Sequence, residues 1–192
     1  AVEIIQTTAA ELLADLQVTL LQAIAFLSRL TWLNWPDEPE WTVDRLQVGL
    51  IADLRRPNAK LFIAQTAHGT LIGFIMAYEI FRSSTTGQMT LKGLCGLDVL
   101  HPHVRGGGKI VYIDSLGVAP DYRRRGHGEA LLEKCLEAYE GEGVSLFLLR
   151  TRMDEEREPA RRLFTKKGFE PLGVRGDADH CPEREFFLRV VD

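Results

Sequence analysis

The pattern of apolar and polar positions divides the chain into alternating strand and helix segments. Val2–Thr7 is apolar enough for a short strand, and Thr8 with Glu11 has the spacing of a capping box, which favours a helix start. Apolar residues then recur at helical spacing and predict one amphipathic helix that extends to, or is broken near, Thr31. These apolar positions are Leu13, Leu16, Leu20, Ile24 and Leu27. A second helix is predicted over Val43–Leu54, shortly before a proline.

The middle of the chain carries strand patterns. Lys60–Thr66 and Thr70–Phe81 flank the short segment Ala-His-Gly, so they predict two antiparallel strands joined by a tight turn. The segment GQMTLKGLCGLDVL allows a further strand, whereas the HPHVRGGG that follows it is irregular and glycine-rich. Lys109–Val118 is strongly apolar and predicts another strand.

The last third of the chain begins with a helix whose apolar and charged residues separate onto opposite faces. Its apolar face consists of Ala130, Leu131, Leu132, Cys135, Leu136 and Tyr139. The strand VSLFLL, the short glycine-closed helix PARRLFTKKG and a final strand pair, FEPLGV with EREFFLRVV, follow it. The sequence therefore predicts an α/β fold in one domain over residues 1–192, without internal repeats.

Composition limits the classes of partner. Lys and Arg number 23 against 27 Asp and Glu, a formal net charge of -4, so no global basic field is present and we expect no nucleic-acid partner. Cys95, Cys135 and Cys181 are odd in number and lack CxxC spacing, which indicates reduced thiols and a cytoplasmic location. The apolar-leaning run Leu16–Ser28 is too short to cross a bilayer and no signal peptide is evident, so we expect no membrane partner.

The segment VAPDYRRRGHG, which covers Val118–Gly128, has the chemistry of a phosphate cradle. A strand that ends in a glycine-containing turn and then a helix presents unpaired N–H groups and the positive end of the helix dipole. Gly126 and Gly128 allow a phosphate to approach closely, and Arg123–Arg125 add positive charge. A pyrophosphate fits this description, although the segment matches neither the GxGxxG dinucleotide fingerprint nor the P-loop.

RRRGHG resembles the Gln/Arg-x-x-Gly-x-Gly/Ala motif of the GCN5-related N-acetyltransferase (GNAT) family, with Arg123, Gly126 and Gly128 at its defining positions. The family's V-x-P-x-x-R before the turn and A-L-L after it are also present, and Ala160–Phe169 is similar to its second segment, A-x-x-L-Y-x-x-x-G-F. The resemblance covers essentially the whole chain. It implies a mixed, mainly antiparallel sheet with helices on both sides, splayed between the strand that ends at Val118 and the strand VSLFLL.

The same resemblance implies acetyl-coenzyme A as the acetyl donor. Its pyrophosphate would bind N–H groups of the turn, and its pantetheine arm would pair with main-chain groups of the preceding strand as an added strand would. The residues implied in coenzyme binding are Leu116, Gly117, Val118, Arg123, Arg124, Arg125, Gly126, His127, Gly128 and Glu129. The resemblance also implies transfer to a small-molecule or peptide amine by direct attack, in a monomer or a homodimer.

Acetyl transfer to an amine requires a group that removes the ammonium proton. Asp114 shares a strand face with Tyr112, Leu116 and Val118, so we predict it as the base, with Glu79 as second choice. The alternative is that this strand carboxylate is a structural hydrogen-bond acceptor.

The family's tyrosine general acid is replaced by Phe164, so Tyr122, Ser115 or water would protonate the thiolate. This replacement also motivates a rival function, a coenzyme-binding sensor or regulatory module without turnover. The asparagine that often precedes that helix is absent, with Glu156 and Arg157 nearby.

Two further groups of residues leave alternatives open. The histidines and cysteine His101, His103, His180 and Cys181 match no zinc spacing, so surface loops are expected and no metal is predicted. The three tryptophans Trp32, Trp35 and Trp41 either line an acceptor pocket or fill the core.

Overall fold

A computed structural model describes residues 1–14, 18–31, 42–82, 90, 107–152, 157–175 and 184–191. The strands are β1 (Val2–Thr7), β2 (Lys60–Thr66), β3 (Leu71–Ile80), β4 (Lys109–Val118), β5 (Val144–Arg152), β6 (Glu170–Arg175) and β7 (Arg184–Val190). The helices are α1 (Ala9–Leu13), α2 (Val18–Thr31), α3 (Val43–Leu54), α4 (His127–Glu137) and α5 (Glu158–Lys166), and a 3-10 turn covers Pro120–Tyr122. None of the helices in these ranges is both long and apolar enough to span a membrane.

The strands form one seven-stranded sheet in the order β1-β2-β3-β4-β5-β7-β6. The pairs β1–β2, β2–β3, β5–β7 and β6–β7 are antiparallel, and β4–β5 is parallel, so the predicted mixed, mainly antiparallel α/β fold is confirmed. Register between β4 and β5 runs from Lys109↔Val144 to Ile113↔Leu149 and ends there, although β4 continues to Val118. The last five residues of β4 therefore lie beyond the parallel pairing.

The chain forms two compact units, which we call unit one (residues 1–78 and 114–138) and unit two (residues 79–113 and 139–192). The core of unit one lies between the N-terminal helices and strands β2 and β3. Its buried residues are Leu12, Leu21, Ile24, Leu27, Leu50, Leu54, Leu61, Ile63, Phe74 and Met76. The single domain over residues 1–192 stays a prediction.

The prediction of one long amphipathic helix after β1 is wrong. The capping box is present, since the Thr8 hydroxyl accepts from the Glu11 N–H at 3.2 Å and the Glu11 carboxylate accepts from the Thr8 N–H at 2.7 Å. The helix ends at Leu13, because Ala14 has an extended backbone with ψ 143° that cannot continue the i to i−4 ladder. The predicted helix over Val43–Leu54 is confirmed, with Thr42 as its N-cap.

The predicted apolar face of α4 is confirmed for Leu131, Leu132, Cys135 and Leu136, whereas Ala130 is half-buried and Tyr139 lies beyond the end of the helix. Leu131, Leu132 and Cys135 are fully buried, and burial raises the pKa of the Cys135 thiol to about 12. A thiol with that pKa is protonated and unreactive at neutral pH, so Cys135 is a core residue rather than a nucleophile. At the other end of the helix Lys60 Nζ donates to the Ala138 carbonyl at 2.8 Å, where a cation complements the helix dipole.

In unit two an arginine clamps the beginning of β4. Arg82 donates to the carbonyl of Gly108 at 2.6 Å, to that of Gly107 at 3.2 Å and to the Ser145 hydroxyl at 3.0 Å. Gly108 has φ +92°, and a Cβ built there would lie 2.8 Å from the Ser145 Cβ. Two of the glycines in HPHVRGGG thus have a structural role, which the sequence did not indicate. The segment GQMTLKGLCGLDVL lies outside the described residues apart from Thr90.

Candidate active site

The strand β4 leads into a compact turn that begins α4. The Ala119 N–H donates to the Ile72 carbonyl at 2.8 Å, and the Arg123 N–H closes the 3-10 turn on the Pro120 carbonyl at 3.2 Å. Arg124 and Gly126 have left-handed backbones, with φ +58° and +85°. These two reversals of φ fold the chain back so that α4 starts at His127.

The N-terminus of α4 has the geometry of an anion site. Gly126 is the N-cap and supplies no side-chain cap, and the Ala130 N–H donates to the Gly126 carbonyl at 3.0 Å. The N–H groups of His127 and Gly128 precede that first helical bond, so the helix itself cannot satisfy them. Among the described residues, and apart from its two chain neighbours, no heavy atom lies within 4 Å of a Cβ built on Gly126, so this part of the structure leaves space at the N-cap.

The three arginines of the turn are exposed, and contacts within the turn are described for two of them. Arg123 Nε donates to the Val118 carbonyl at 3.0 Å and so ties the turn to β4. The Arg125 guanidinium lies 5.6 Å from the Tyr122 ring centroid, and the His127 ring lies 6.3 Å from the same ring. Tyr122 therefore packs within the turn, beside the N-terminus of α4.

The end of β4 has main-chain groups directed away from β3. Because the Ala119 N–H binds β3, strand alternation directs the groups of Gly117 to β3 and those of Leu116 and Val118 to the other side. The backbone at Gly117 indeed approaches β3 closely, since a Cβ on Gly73 would lie 3.0 Å from its carbonyl oxygen. Leu116 and Val118 follow the last residue of β4 that pairs with β5, so they are suitably directed for an added strand.

Asp114 lies on the same strand, two residues before Leu116. Its Oδ1 accepts from the Tyr78 hydroxyl of β3 at 3.0 Å, and its Oδ2 accepts from the Ser115 hydroxyl at 2.7 Å. Tyr78 is only 1% exposed. The predicted base is thus half-buried and hydrogen-bonded at both carboxylate oxygens.

A second carboxylate lies nearby at the end of α3. Asp53 Oδ1 accepts from Arg56 Nε at 2.7 Å, and the Arg56 guanidinium lies over the Tyr78 ring, 5.0 Å from its centroid. Burial, together with the negative charge of Asp114, raises the pKa of Asp53, whereas the bond from Arg56 lowers it. Asp53, Arg56, Tyr78 and Asp114 therefore form one continuous set of contacts.

Other predicted site residues lie elsewhere. Glu79 follows Tyr78 on β3, so its side chain points to the opposite face of the strand from the one that contacts Asp114. Tyr112 is buried on β4. The Phe164 ring is buried in an aromatic cluster with Phe169 and Phe187, at centroid distances of 6.2 and 5.9 Å.

Three predictions concern residues that are wholly or partly outside the described ranges. The tryptophans Trp32, Trp35 and Trp41, the proposed loop residues His101, His103, His180 and Cys181, and Glu156 all lie outside them. Within the described ranges, no group of three or more His, Cys, Asp or Glu side chains could hold a metal ion.

The comparisons with known proteins agree with this geometry. The sequence profile described as Acetyltransferase (GNAT) family matches residues 24–169. The chain therefore belongs to the GNAT family, as its two motifs predicted. No curated protein matches it in sequence.

Solved structures share the fold at low sequence identity. The PaiA N-acetyltransferase from Thermoplasma acidophilum in complex with coenzyme A has a TM-score of 0.62 at 14% identity, over 100% of this chain and 99% of that one. NAA60 from Arabidopsis thaliana in complex with a bisubstrate analogue has a TM-score of 0.60 at 18% identity, over 99% and 100%. An aminoglycoside acetyltransferase from an uncultured soil metagenomic sample has a TM-score of 0.58 at 20% identity, over 94% and 95%.

Proposed function

We propose that the protein is an N-acetyltransferase that moves the acetyl group of acetyl-coenzyme A to a primary amine in a ternary complex. The observation that carries the proposal is the open N-terminus of α4. Gly126 has φ +85° there, and the N–H groups of His127 and Gly128 precede the first hydrogen bond of the helix. Family membership supports acetyl-coenzyme A as the cosubstrate, and the PaiA structure holds coenzyme A.

The coenzyme would bind along β4 and the turn after it. The N–H groups of His127 and Gly128 would donate to the pyrophosphate, and the main-chain groups of Leu116 and Val118 would pair with the pantetheine arm. The Val118 carbonyl already accepts from Arg123, so this arginine acts by holding the turn closed. Arg124 is exposed and has a left-handed backbone, so its side chain would contact solvent or the 3′-phosphate of the coenzyme.

Asp114 would accept the proton of the ammonium acceptor. The neutral amine nitrogen then attacks the thioester carbonyl carbon, the C–N bond forms, and the C–S bond breaks to release the coenzyme as a thiolate. Phe164 has no proton to give, and a thiol with a pKa of about 8.5 is a fair leaving group near neutral pH. The nitrogen loses its second proton as the amide forms, and water, Tyr122 or Ser115 would relay a proton to the sulfur, so that the coenzyme leaves as a thiol.

The acceptor class we propose is a small-molecule amine or a peptide amine, in a monomer or a homodimer located in the cytoplasm. The similarity to an aminoglycoside acetyltransferase supports a small-molecule acceptor. Nucleic acid and membrane surfaces are not proposed as partners, since the chain carries a net charge of -4.

A panel of amines mixed with acetyl-coenzyme A tests the function directly. Thiol release is expected with at least one amine of the panel, because the site combines a coenzyme turn with a carboxylate on the same strand. The buried Phe164 ring favours one rival, a coenzyme-binding sensor. Tight coenzyme binding without thiol release from any amine would support that sensor and reject the transferase.

The coenzyme turn can be tested by replacing Gly126 with alanine. A Cβ at φ +85° strains the backbone by about 1–2 kcal/mol and enters the space open to the pyrophosphate, so we expect at least about a tenfold weaker Kd for coenzyme A by calorimetry. Gly141→Ala is the matched control, because Gly141 also has a left-handed backbone, φ +74°, with open space at its Cβ. Equal Kd values for the two variants would reject the phosphate turn.

A further inference from the structure

We propose that Tyr78 is a positioning residue for Asp114, and that Arg56, fixed by Asp53, holds the Tyr78 ring from the end of α3. This inference rests on the proposed function, because it assigns a role within acetyl transfer. The contacts that carry it lie within unit one and run from Asp53 to Arg56, from Arg56 to Tyr78 and from Tyr78 to Asp114.

Tyr78 restricts the orientation of the Asp114 carboxylate. The last torsion of an aspartate side chain is broad, so an unsupported carboxylate would sample many directions. Here the Tyr78 hydroxyl holds Oδ1 at 3.0 Å and the Ser115 hydroxyl holds Oδ2 at 2.7 Å, so the plane of the group is fixed. Each oxygen keeps a second lone-pair direction, which is what acceptance of an amine proton requires.

The Tyr78 hydroxyl can be held in place only if its ring is held. The ring is buried, and its face is covered by the Arg56 guanidinium at 5.0 Å, within the range of a cation–π contact. Asp53 keeps the guanidinium in that position through a bond of 2.7 Å to Nε.

The charges around Asp114 favour a cationic acceptor. In the part of the chain that the structure describes, the groups that interact with it include Asp53 and Arg56 at the end of α3, Tyr78 from β3 and Ser115 from β4 itself. Two carboxylates and one guanidinium leave one net negative charge. Burial raises the pKa of Asp53, and the negative charge of Asp114 raises it further. An ammonium group that arrives beside Asp114 would relieve this repulsion.

The experiment compares Tyr78→Phe with the wild-type protein, with acetyl-coenzyme A and an amine that the panel identifies. Because this change keeps the ring and removes only the hydroxyl, we expect about a tenfold lower kcat/KM for the amine and an unchanged KM for acetyl-coenzyme A. The pH profile of kcat/KM should also differ from that of the wild-type protein, because the Asp114 carboxylate loses one of its two hydrogen-bond donors. In an Asp114→Asn background the Tyr78→Phe change should cause no further loss.

Tyr139→Phe is the matched control, because Tyr139 is as buried as Tyr78 but contacts Phe147 in unit two. We expect it to leave kcat/KM and the pH profile unchanged. If circular dichroism shows that Tyr78→Phe does not fold, Arg56→Met replaces it, with an expected loss of about threefold in kcat/KM and a changed pH profile.

The outcomes separate the two proposals. An active wild-type protein whose Tyr78→Phe variant has an unaltered pH profile, or loses activity equally with and without Asp114, overturns the positioning role alone. Absence of thiol release from the wild-type protein with every amine overturns the proposed function, and the positioning role with it.

Discussion

Replacement of Asp114 by asparagine is expected to lower kcat/KM for the amine by about 10²–10⁴-fold, the usual contribution of a positioned general base. The amide keeps the size of the side chain and can still accept from Tyr78 or Ser115, so the fold should be preserved. Coenzyme affinity should change little, because the residues proposed to bind the coenzyme begin at Leu116 and use main-chain groups. We therefore expect the lower kcat/KM to arise in the chemical step, and single-turnover rates of thiol release should fall accordingly.

Asp44→Asn provides the matched control for this variant, since Asp44 is an exposed carboxylate in the first turn of α3. It should retain the wild-type kcat/KM. If Asp114→Asn is as active as Asp44→Asn across the pH range, then Asp114 is a structural acceptor for Tyr78 and Ser115, and the base lies elsewhere.

Gly108→Ala is expected to produce the largest loss of stability among the substitutions considered. An alanine at φ +92° costs about 1–2 kcal/mol of backbone strain. Its Cβ would also lie 2.8 Å from the Ser145 Cβ and 3.0 Å from the Gly143 carbonyl, and overpacking of this kind adds about 1–3 kcal/mol. Since Ser145 also accepts from the clamping arginine, Arg82, neither neighbour can move without loss of a bond.

Urea denaturation measures this loss of stability. Alanine substitutions at two neighbouring glycines separate the contribution of backbone strain from that of the clash. Gly143→Ala has φ +76° and open space, so it should lose only the strain of about 1–2 kcal/mol. Gly107→Ala has open space and no left-handed φ, so its free energy of unfolding should stay near that of the wild type. Equal stabilities for Gly108→Ala and Gly143→Ala would contradict the clash with Ser145.

Local sequence signals predicted the elements of the fold well. The helix Val43–Leu54 and the strand Lys109–Val118 have the predicted bounds, because caps, periodicity and flanking turns act within a few residues. The long N-terminal helix was predicted wrongly, since nothing in the apolar spacing shows that Ala14 leaves the helical region. A helical pattern on both sides of a break is indistinguishable from a continuous one.

The candidate site was predicted only in part for a different reason. The coenzyme turn is a contiguous motif, whereas Asp114 depends on partners that are distant in sequence. Alternation placed Asp114 on a face of β4, but the contact with Tyr78 spans 36 positions and depends on how β3 and β4 align. The sequence did not indicate the roles of Arg56 and Asp53, because their contacts depend on how the end of α3 packs over Tyr78 of β3.

The Phe164 position illustrates the limit of a motif. The sequence shows that the family hydroxyl is missing, but not what the ring does instead. In the structure the Phe164 ring packs against Phe169 and Phe187. The phenylalanine that stands in place of the family tyrosine therefore has a structural role in unit two.

The hydrogen bond between Tyr78 and Asp114 also joins the last residue before the chain leaves unit one to the first residue on its return. The residues between these two partners, 79–113, all belong to unit two. The described partners of the Asp114 carboxylate, Tyr78 and Ser115, therefore both belong to unit one, and the 35 residues that separate Tyr78 from Asp114 in sequence supply neither of these contacts.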